Sequence, residues 1–205
     1  MVSDIKAVVF DLGGVLIDWN PRYVYRQIFA SEAEIDAFMA ETGIMEMNAR
    51  LDAGQPVAQG VADLAARFPH LAAPIRAWSE RWPEMLGGAI DETVALLARL
   101  RASGLPIYAL TNWSAETFPG AQARFDFLGW FRHIVVSGEV GVAKPDPRIF
   151  DIVLRWTNSA AHQTLFIDDS LKNVAAAKRL GFQAVHFTGA TALAADLENL
   201  GITIN

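Results

Sequence analysis

Short apolar runs rich in β-branched residues recur along the chain, at 7–10, 107–110, 133–136, 164–167 and 184–187. Each run has the length of a strand that is buried on both faces. From the second run onward, each is followed by a stretch in which the apolar residues have helical spacing. This alternation predicts an α/β fold, a doubly wound, Rossmann-like parallel sheet with helices on both faces.

Capping residues mark where helices of this sheet begin and end. Asp146 is a predicted N-cap, with Pro147 at the first helical position. A further helix is predicted to start at Ser170 and to stop at Gly181, where a glycine commonly terminates a helix. These signals place one helix beyond the loop that follows the third apolar run and another directly after the fourth.

Residues 19–90 have a different pattern, with helical spacing, several alanine, methionine and tryptophan residues, and no convincing strand. A segment of roughly seventy residues is too long for a simple crossover between the first two strands of such a sheet. We therefore predict a helical cap at 19–90, inserted into a core domain formed by 1–18 and 91–205.

The chain carries a formal net charge of −6 and contains no cysteine. The acidic balance provides no basic surface, so neither nucleic acid nor an anionic membrane is an expected partner. The lack of cysteine excludes disulfides, thiolate metal sites and cysteine nucleophiles. Neither a basic leader followed by an apolar stretch nor a run long enough to span a bilayer is visible, so we expect a soluble, cytoplasmic protein.

Polar residues follow the predicted strands at the points where the strands end. They are Asp11 after the first strand, Thr111 and Asn112 after the second, Lys144 in the loop beyond the third, and Asp168 and Asp169 after the fourth. In an open parallel sheet, ligands bind beyond the carboxyl ends of the strands, so these side chains are expected at one rim. Each residue alone is also typical of a turn, a helix cap or a solvated surface. Their combination favours a chemical site.

The segments that carry these residues resemble the four motifs of the haloacid dehalogenase-like (HAD) hydrolase superfamily, in the right order. They are "FDLGGVLID", "LTNWS", "GVAKPDPRIF" and "FIDDSLKNVAAA". The resemblance covers the whole chain, since the helical insertion lies where the subclass I cap lies. Within the superfamily, the motifs are most similar to those of the bacterial α-D-glucose-1-phosphatase-like phosphatases.

The resemblance implies a phosphatase that forms an aspartyl-phosphate on Asp11, which divides one difficult displacement into two easier ones. It also implies Mg²⁺, a hard ion that prefers oxygen ligands, bound by Asp11, Asp169 and the backbone carbonyl of Gly13. Asp168 either binds the ion directly or contacts the residues that bind it. The paired glycines Gly13 and Gly14 would let the backbone pass close to metal and substrate.

Further roles follow from the same resemblance. Lys144 would neutralise charge on Asp11 and on the transferring phosphoryl group. Thr111 and Asn112 would donate hydrogen bonds to phosphate oxygens. Asn173 stands where many relatives carry an aspartate, and its amide could bond a metal-bound water or orient Asp169.

One position departs from the usual first motif, which has a general acid two residues after the nucleophile. Here that position is Gly13, and general acid catalysis is worth about 10² to 10⁴-fold. Because the general acid is missing, an alternative function is a metal-independent hydrolytic 2-haloacid dehalogenase, which needs no such acid. Against it, this chain keeps two adjacent acids, Asp168 and Asp169, which would repel each other without a cation. A third alternative is a non-catalytic HAD-like binding module.

The cap carries weaker signals. Trp19, Asn20 and Arg22 directly follow the first motif and could line the mouth of the site. Arg22 either holds an anionic group of the substrate or lies on a helix surface. The resemblance brings the segment "EMNARLDAGQPV" near the substrate without nominating a side chain, whereas the helically spaced tryptophans Trp78 and Trp82 are predicted to form cap core.

The expected substrate is a small phosphorylated metabolite, by default a sugar phosphate, and the expected assembly is a monomer or weak homodimer.

Overall fold

The computed structural model describes residues 4–202 and contains a five-stranded parallel sheet in the order β5-β4-β1-β6-β7. The strands are β1 (Ala7–Phe10), β4 (Ile107–Thr111), β5 (Ile134–Val136), β6 (Thr164–Asp168) and β7 (Gln183–His186). The predicted apolar runs match these strands to within one residue at each end. The order places β1 at the centre, where the strand order reverses, and this is the position at which doubly wound sheets bind ligands.

Alternate residues of β1 face two separate apolar layers. Val8 and Phe10 belong to the larger hydrophobic cluster, which includes residues of helices α6 (Asp91–Ala102) and α11 (Ala190–Asn199). Val9 belongs to the second cluster on the opposite face of the sheet. Because both faces of the central strands are covered, these strands read as continuous apolar runs. The predicted doubly wound architecture is confirmed.

The remaining core helices lie beyond the ends of β4, β5 and β6. They are α7 (Phe118–Arg124), α8 (Ser137–Val140), α9 (Pro147–Thr157) and α10 (Leu171–Arg179), with short 3-10 helices at Asp126–Trp130 and Ala161–Gln163. The Asp146 side chain accepts a hydrogen bond from the Arg148 backbone N–H, as an N-cap does. Gly181 has a φ of 88° just past α10. Ser170 is the N-cap residue of α10, but its side chain makes no capping hydrogen bond.

The inserted segment is mainly helical. It contains α1 (Arg22–Tyr25), α2 (Glu32–Thr42), α3 (Ile44–Asp52), α4 (Val57–Arg67) and α5 (Ala72–Glu80), with 3-10 helices at Pro69–Leu71 and Trp82–Met85. Trp78 and Trp82 are both buried in the larger hydrophobic cluster, in agreement with their predicted place in the core. Within residues 4–202, no helix combines the length and the apolar character that crossing a bilayer requires.

The prediction that residues 19–90 contain no strand was wrong. Strand β2 (Ile17–Trp19) pairs antiparallel with β3 (Leu86–Ala89), and this ribbon joins the sheet domain to the inserted helices. The sequence of β3 is Leu-Gly-Gly-Ala, which has little intrinsic strand preference. It is a strand because β2 supplies hydrogen-bonding partners, a long-range condition that no local pattern encodes.

Candidate active site

The carboxyl ends of β1, β4 and β6 meet at one cavity of about 360 Å³ between the sheet and the inserted helices. Most of the core residues that the sequence nominated line this cavity, namely Asp11, Gly13, Thr111, Asn112, Lys144, Asp169 and Asn173. Asp168 lies behind them with no exposed surface. Adjacent parallel strands end at the same edge, and this is why residues far apart in sequence converge here.

Lys144 is buried at the centre of the site. Its Nζ lies 2.8 Å from Asp11 Oδ1 and 2.7 Å from Asp168 Oδ2, and it donates to the Leu110 carbonyl at 2.9 Å. Burial by itself lowers the pKa of Lys144, but the charges of Asp11 and Asp168 outweigh it, so the pKa lies above its ordinary value. The amine therefore stays protonated and holds the two acids together.

Asp168 is saturated with protein donors. Its Oδ1 accepts from the Ser170 backbone N–H at 2.8 Å and from Asn173 Nδ2 at 3.0 Å. Its Oδ2 accepts from Lys144 at 2.7 Å and shares the Asn173 amide at 3.1 Å. Asn173 Nδ2 thus orients Asp168, whereas a metal-bound water or Asp169 was the partner predicted for this amide. Every lone pair of the Asp168 carboxylate is engaged, so this residue positions Lys144.

Asn112 holds the backbone of Lys144 on both sides. Its Oδ1 accepts from the Lys144 N–H at 2.8 Å, and its Nδ2 donates to the Lys144 carbonyl at 3.0 Å. These two bonds fix the lysine loop against β4. Asn112 also lines the cavity and has a second N–H on Nδ2, so its expected role as a phosphate donor stays a prediction. Thr111 lines the cavity at the tip of β4, and no protein hydrogen bond within the described chain uses its hydroxyl.

Three carboxylates face one lysine in this site. Asp11, Asp168 and Asp169 each have an oxygen within 4.8 Å of the others. Burial and, to a smaller extent, the charge of Asp168 raise the pKa of Asp169. Burial also raises the pKa of Asp11, although the positive charge of Lys144 lowers it. Asp169 has no ion-pair partner among residues 4–202, and the buried Asn173 Oδ1 has no hydrogen-bond donor there. Excess negative charge, oxygen donors and an unpaired acceptor suit a hard, hydrated cation such as Mg²⁺.

Asp11 is held by one of its two oxygens. Oδ1 accepts from the Leu12 backbone N–H at 2.8 Å and faces Lys144, whereas Oδ2 has no hydrogen-bond donor among the described residues. The residue is 8% exposed, so this free oxygen meets little bulk water. A fixed, desolvated carboxylate with one free oxygen has the properties of a positioned nucleophile.

The inserted segment, its helices together with the end of β2, forms the other wall of the cavity. Trp19, Asn48, Asp52 and Trp82 line it from this side, and Trp113 lines it from the core. The sequence pointed to Trp19 and to the segment that holds Asn48 and Asp52, and it missed Trp113. Trp82 is buried in the hydrophobic core, as predicted, and in addition lines the cavity. The available signal was the four-residue spacing of Asn48 and Asp52, which puts both on one face of α3.

Asp52 is a buried acid without a salt bridge in the described structure. Asn48 Nδ2 donates to its Oδ2 at 2.9 Å. Burial raises the pKa of Asp52 to about 7, although the Asn48 bond, a backbone hydrogen bond from Ser114 and the charge of Lys144 each lower it. This carboxyl group is thus balanced between its protonated and ionised forms near neutral pH.

Arg22 is not part of the site. Its guanidinium forms ion pairs with Glu32 at 2.8 Å and with Asp36 on the surface of the inserted helices. Asn20 is used locally, since its Oδ1 accepts from the Arg22 backbone N–H. The helix-surface interpretation of Arg22 therefore fits the structure, and a substrate anion would have to displace two carboxylates to reach it.

Comparison with known proteins shows what this arrangement resembles. A family model described as haloacid dehalogenase-like hydrolase matches residues 5–181. A sesquiterpene phosphatase of Aspergillus oryzae is 28% identical over 98% of this chain and 98% of its own length. A D-ribitol-5-phosphate phosphatase of Bacteroides thetaiotaomicron is 25% identical over 87% of this chain and 90% of its own.

Solved structures share the fold at lower identity. A HAD-like hydrolase of Porphyromonas gingivalis has a TM-score of 0.69 at 22% identity, covering 95% of this chain and 98% of its own. A HAD family enzyme of B. thetaiotaomicron in complex with magnesium and inorganic phosphate has a TM-score of 0.62 at 22% identity, covering 89% and 93%. An L-2-haloacid dehalogenase of Xanthobacter autotrophicus has a TM-score of 0.63 at 20% identity, covering 97% and 84%.

Proposed function

We propose that this chain, which belongs to the haloacid dehalogenase-like hydrolases, is a Mg²⁺-dependent phosphatase of small phosphorylated metabolites. The observation that carries the proposal is the geometry around Asp11. Its Oδ1 is held by Leu12 and Lys144, and its Oδ2 is left free in a cavity that also contains Asp169. Full-length similarity to phosphatases supports the same reaction.

In this proposal Asp11 attacks the phosphorus atom and the bond from phosphorus to the leaving oxygen breaks. The result is an aspartyl-phosphate, which water then hydrolyses to phosphate and the original carboxylate. Lys144 remains protonated beside Asp11 and neutralises charge that would otherwise repel a phosphate dianion. The Thr111 hydroxyl is the free donor at the same rim and would bond a phosphate oxygen.

The residues that would hold Mg²⁺ are Asp11, Asp169 and the backbone carbonyl of Gly13. When bound, Mg²⁺ supplies charge neutralisation for the phosphoryl group and the carboxylates. Asp168, which the sequence placed among the candidate ligands, instead acts through Lys144 because its oxygens are occupied by protein donors. The unpaired Asn173 Oδ1 is suited to accept a hydrogen bond from a water on the cation.

Gly14 keeps the space for Asp169. A Cβ at Gly14 would lie 2.4 Å from Asp169 Oδ2, and the backbone there has a φ of +73°. We expect Gly14→Ala to cost roughly 1–2 kcal/mol of unfolding free energy through the left-handed backbone. Because the new methyl group also displaces Asp169, the Mg²⁺ concentration needed for half-maximal activity should rise. Urea unfolding and a Mg²⁺ titration of activity measure the two effects.

The matched control is Gly104→Ala, where φ is +81° and no atom lies within 4 Å of the added Cβ. It should lose stability with no change in the Mg²⁺ requirement. Equal Mg²⁺ curves for the two variants would contradict the assignment of Asp169 to the cation.

The dehalogenase alternative fits the site less well. Asp169 adds a carboxylate that has no ion-pair partner in the described chain, beside the fully buried Asp168. In a reaction that needs no cation, nothing would offset the repulsion between the Asp169 and Asp168 carboxylates, which raises the pKa of Asp169 after the larger effect of burial. The structural similarity to the dehalogenase concerns the fold, which both reactions share.

The substrate we propose is a small phosphate monoester, with a sugar phosphate as the leading class. The cavity of about 360 Å³ suits a metabolite of that size. Three indole rings, those of Trp19, Trp82 and Trp113, line it beside the polar pair of Asn48 and Asp52. Aromatic faces with adjacent hydrogen-bonding groups fit a ring that carries hydroxyls.

The proposal includes the division of the chain into a core of 1–18 and 91–205 and a cap of 19–90. The cap would determine which substrates the site accepts.

The proposal is tested by phosphate release from p-nitrophenyl phosphate and from a panel of phosphorylated metabolites. We expect release that requires Mg²⁺ and is abolished by EDTA. A parallel assay measures chloride release from 2-chloropropionate in EDTA. Chloride release without phosphate release would establish the dehalogenase, and absence of both activities would favour a binding module.

A further inference from the structure

The site lacks the usual proton donor for the leaving group. The position two residues after Asp11 is Gly13, which has no side chain. An alkoxide is a poor leaving group unless it is protonated as the bond to phosphorus breaks. Some other group facing the cavity has to supply that proton, or the reaction is confined to acidic leaving groups.

The described cavity wall contains three carboxyl groups, those of Asp11, Asp52 and Asp169. Asp11 is the proposed nucleophile, and Asp169 is a proposed ligand of the cation, so both act as anions. Lys144 is held by Asp11, Asp168 and the Leu110 carbonyl. Asp52 is left as the one acid on this wall without a task.

Asp52 stands at the junction of the two walls. It is the last residue of α3, which packs against α8 of the core, and Gly54 just beyond lies against Gly138 of that helix. The residue is 8% exposed, and its side chain faces the cavity opposite the strand ends. Asn48, four residues earlier on the same helix, fixes Oδ2 by the 2.9 Å hydrogen bond. The carboxyl group is therefore oriented, and it belongs to the cavity wall that the inserted helices supply.

Given the phosphatase function proposed above, we propose that Asp52 is the general acid, which protonates the leaving-group oxygen in place of the side chain absent at Gly13. As Asp11 attacks, the bond from phosphorus to oxygen breaks and the proton moves from Asp52 to that oxygen, which releases a neutral alcohol. The Asp52 carboxylate then takes a proton from the water that attacks the aspartyl-phosphate. The acid is thereby restored, and the net reaction consumes one water molecule.

The electrostatics of Asp52 support this role. A general acid works best with a pKa near the operating pH, and burial raises the pKa of Asp52 to about 7. Lys144 is the charged residue whose field acts on it, and that field lowers the pKa without forming an ion pair. The Asn48 amide bonds either protonation state, since it needs only an oxygen acceptor.

The test compares two phosphate esters of similar size and different leaving groups. p-Nitrophenyl phosphate releases an acidic phenol, whereas benzyl phosphate releases a basic alkoxide. We expect Asp52→Asn to lower kcat/KM for benzyl phosphate by about 10² to 10⁴-fold and that for p-nitrophenyl phosphate by less than about tenfold. The value of kcat/KM depends on the steps up to phosphorylation of Asp11. The later hydrolysis of the aspartyl-phosphate therefore does not affect the comparison of the two esters.

Two further variants make the result specific. Asp63→Asn removes an exposed acid from α4, and it should leave both esters unaffected. Gly13→Asp restores the side chain of the usual motif at a position where a Cβ meets only Trp19 Cβ, at 3.9 Å. In the Asp52→Asn background, Gly13→Asp should recover activity on benzyl phosphate.

Each outcome decides between the two proposals. Equal losses on both esters in Asp52→Asn, with no recovery by Gly13→Asp, would overturn the general acid role and leave the phosphatase standing. An unsubstituted protein that releases phosphate neither from these esters nor from the metabolite panel in Mg²⁺ would overturn the phosphatase, and the role of Asp52 with it.

Discussion

Asp11→Asn is expected to lower Mg²⁺-dependent phosphate release from p-nitrophenyl phosphate by at least about 10⁴-fold. The carboxamide has almost the same shape but carries no charge, so it cannot form the bond to phosphorus. The backbone N–H of Leu12 and the Lys144 amine can still bond the remaining carbonyl oxygen. The loss should therefore appear in activity and not in the fold.

Thermal unfolding in EDTA separates these effects. Asp11→Asn removes one of three carboxylates that face a single lysine, so the Tm should stay the same or rise. The control Asp151→Asn, an exposed acid of α9, should retain full activity. Residual activity of Asp11→Asn within tenfold of the unsubstituted protein would show that the attacking group is not Asp11.

Lys144→Met is expected to destabilise the protein by roughly 3–5 kcal/mol and to abolish activity. The methionine fills most of the volume of the lysine, but Asp11 and Asp168 are left as buried carboxylates without their cation. Removing one partner of a buried ion pair costs more than the pair itself contributes, because the remaining charge is neither solvated nor paired. Urea unfolding in EDTA measures the change.

A second substitution identifies the cause of the destabilisation. The double variant Lys144→Met/Asp168→Asn also removes the negative charge of the fully buried Asp168. Part of the lost stability should therefore return, while activity stays absent. Lys172→Met, at an exposed position of α10, should have an effect within about 0.5 kcal/mol. If the double variant is no more stable than Lys144→Met, the cost arises from packing and not from uncompensated charge.

The strands of the sheet were predictable because each is encoded by its own residues and by those directly around it. Each strand is a short run of apolar residues buried on both faces, and its neighbours carry helix signals such as Asp146 and Gly181. The ribbon strand β3 was not predictable, since Leu86–Ala89 becomes a strand only through its pairing with β2. Helical spacing predicted correctly that Trp82 is buried in the hydrophobic core, but it carried no information that Trp82 also lines the cavity.

The sequence by itself determined that Asp11 and Asp169 stand at strand ends and that Lys144 lies in the loop beyond a third strand, and hence that the three share one rim. Periodicity places the strands, and the parallel sheet places their ends. Only the tertiary structure decided what each side chain does there. It directs Asn173 and Lys144 to Asp168, Asn112 to the lysine backbone, Arg22 to surface acids and Asp52 to the cavity. The physical reason is that a hydrogen-bond partner is chosen by distance and direction in space, and these depend on how separate elements pack.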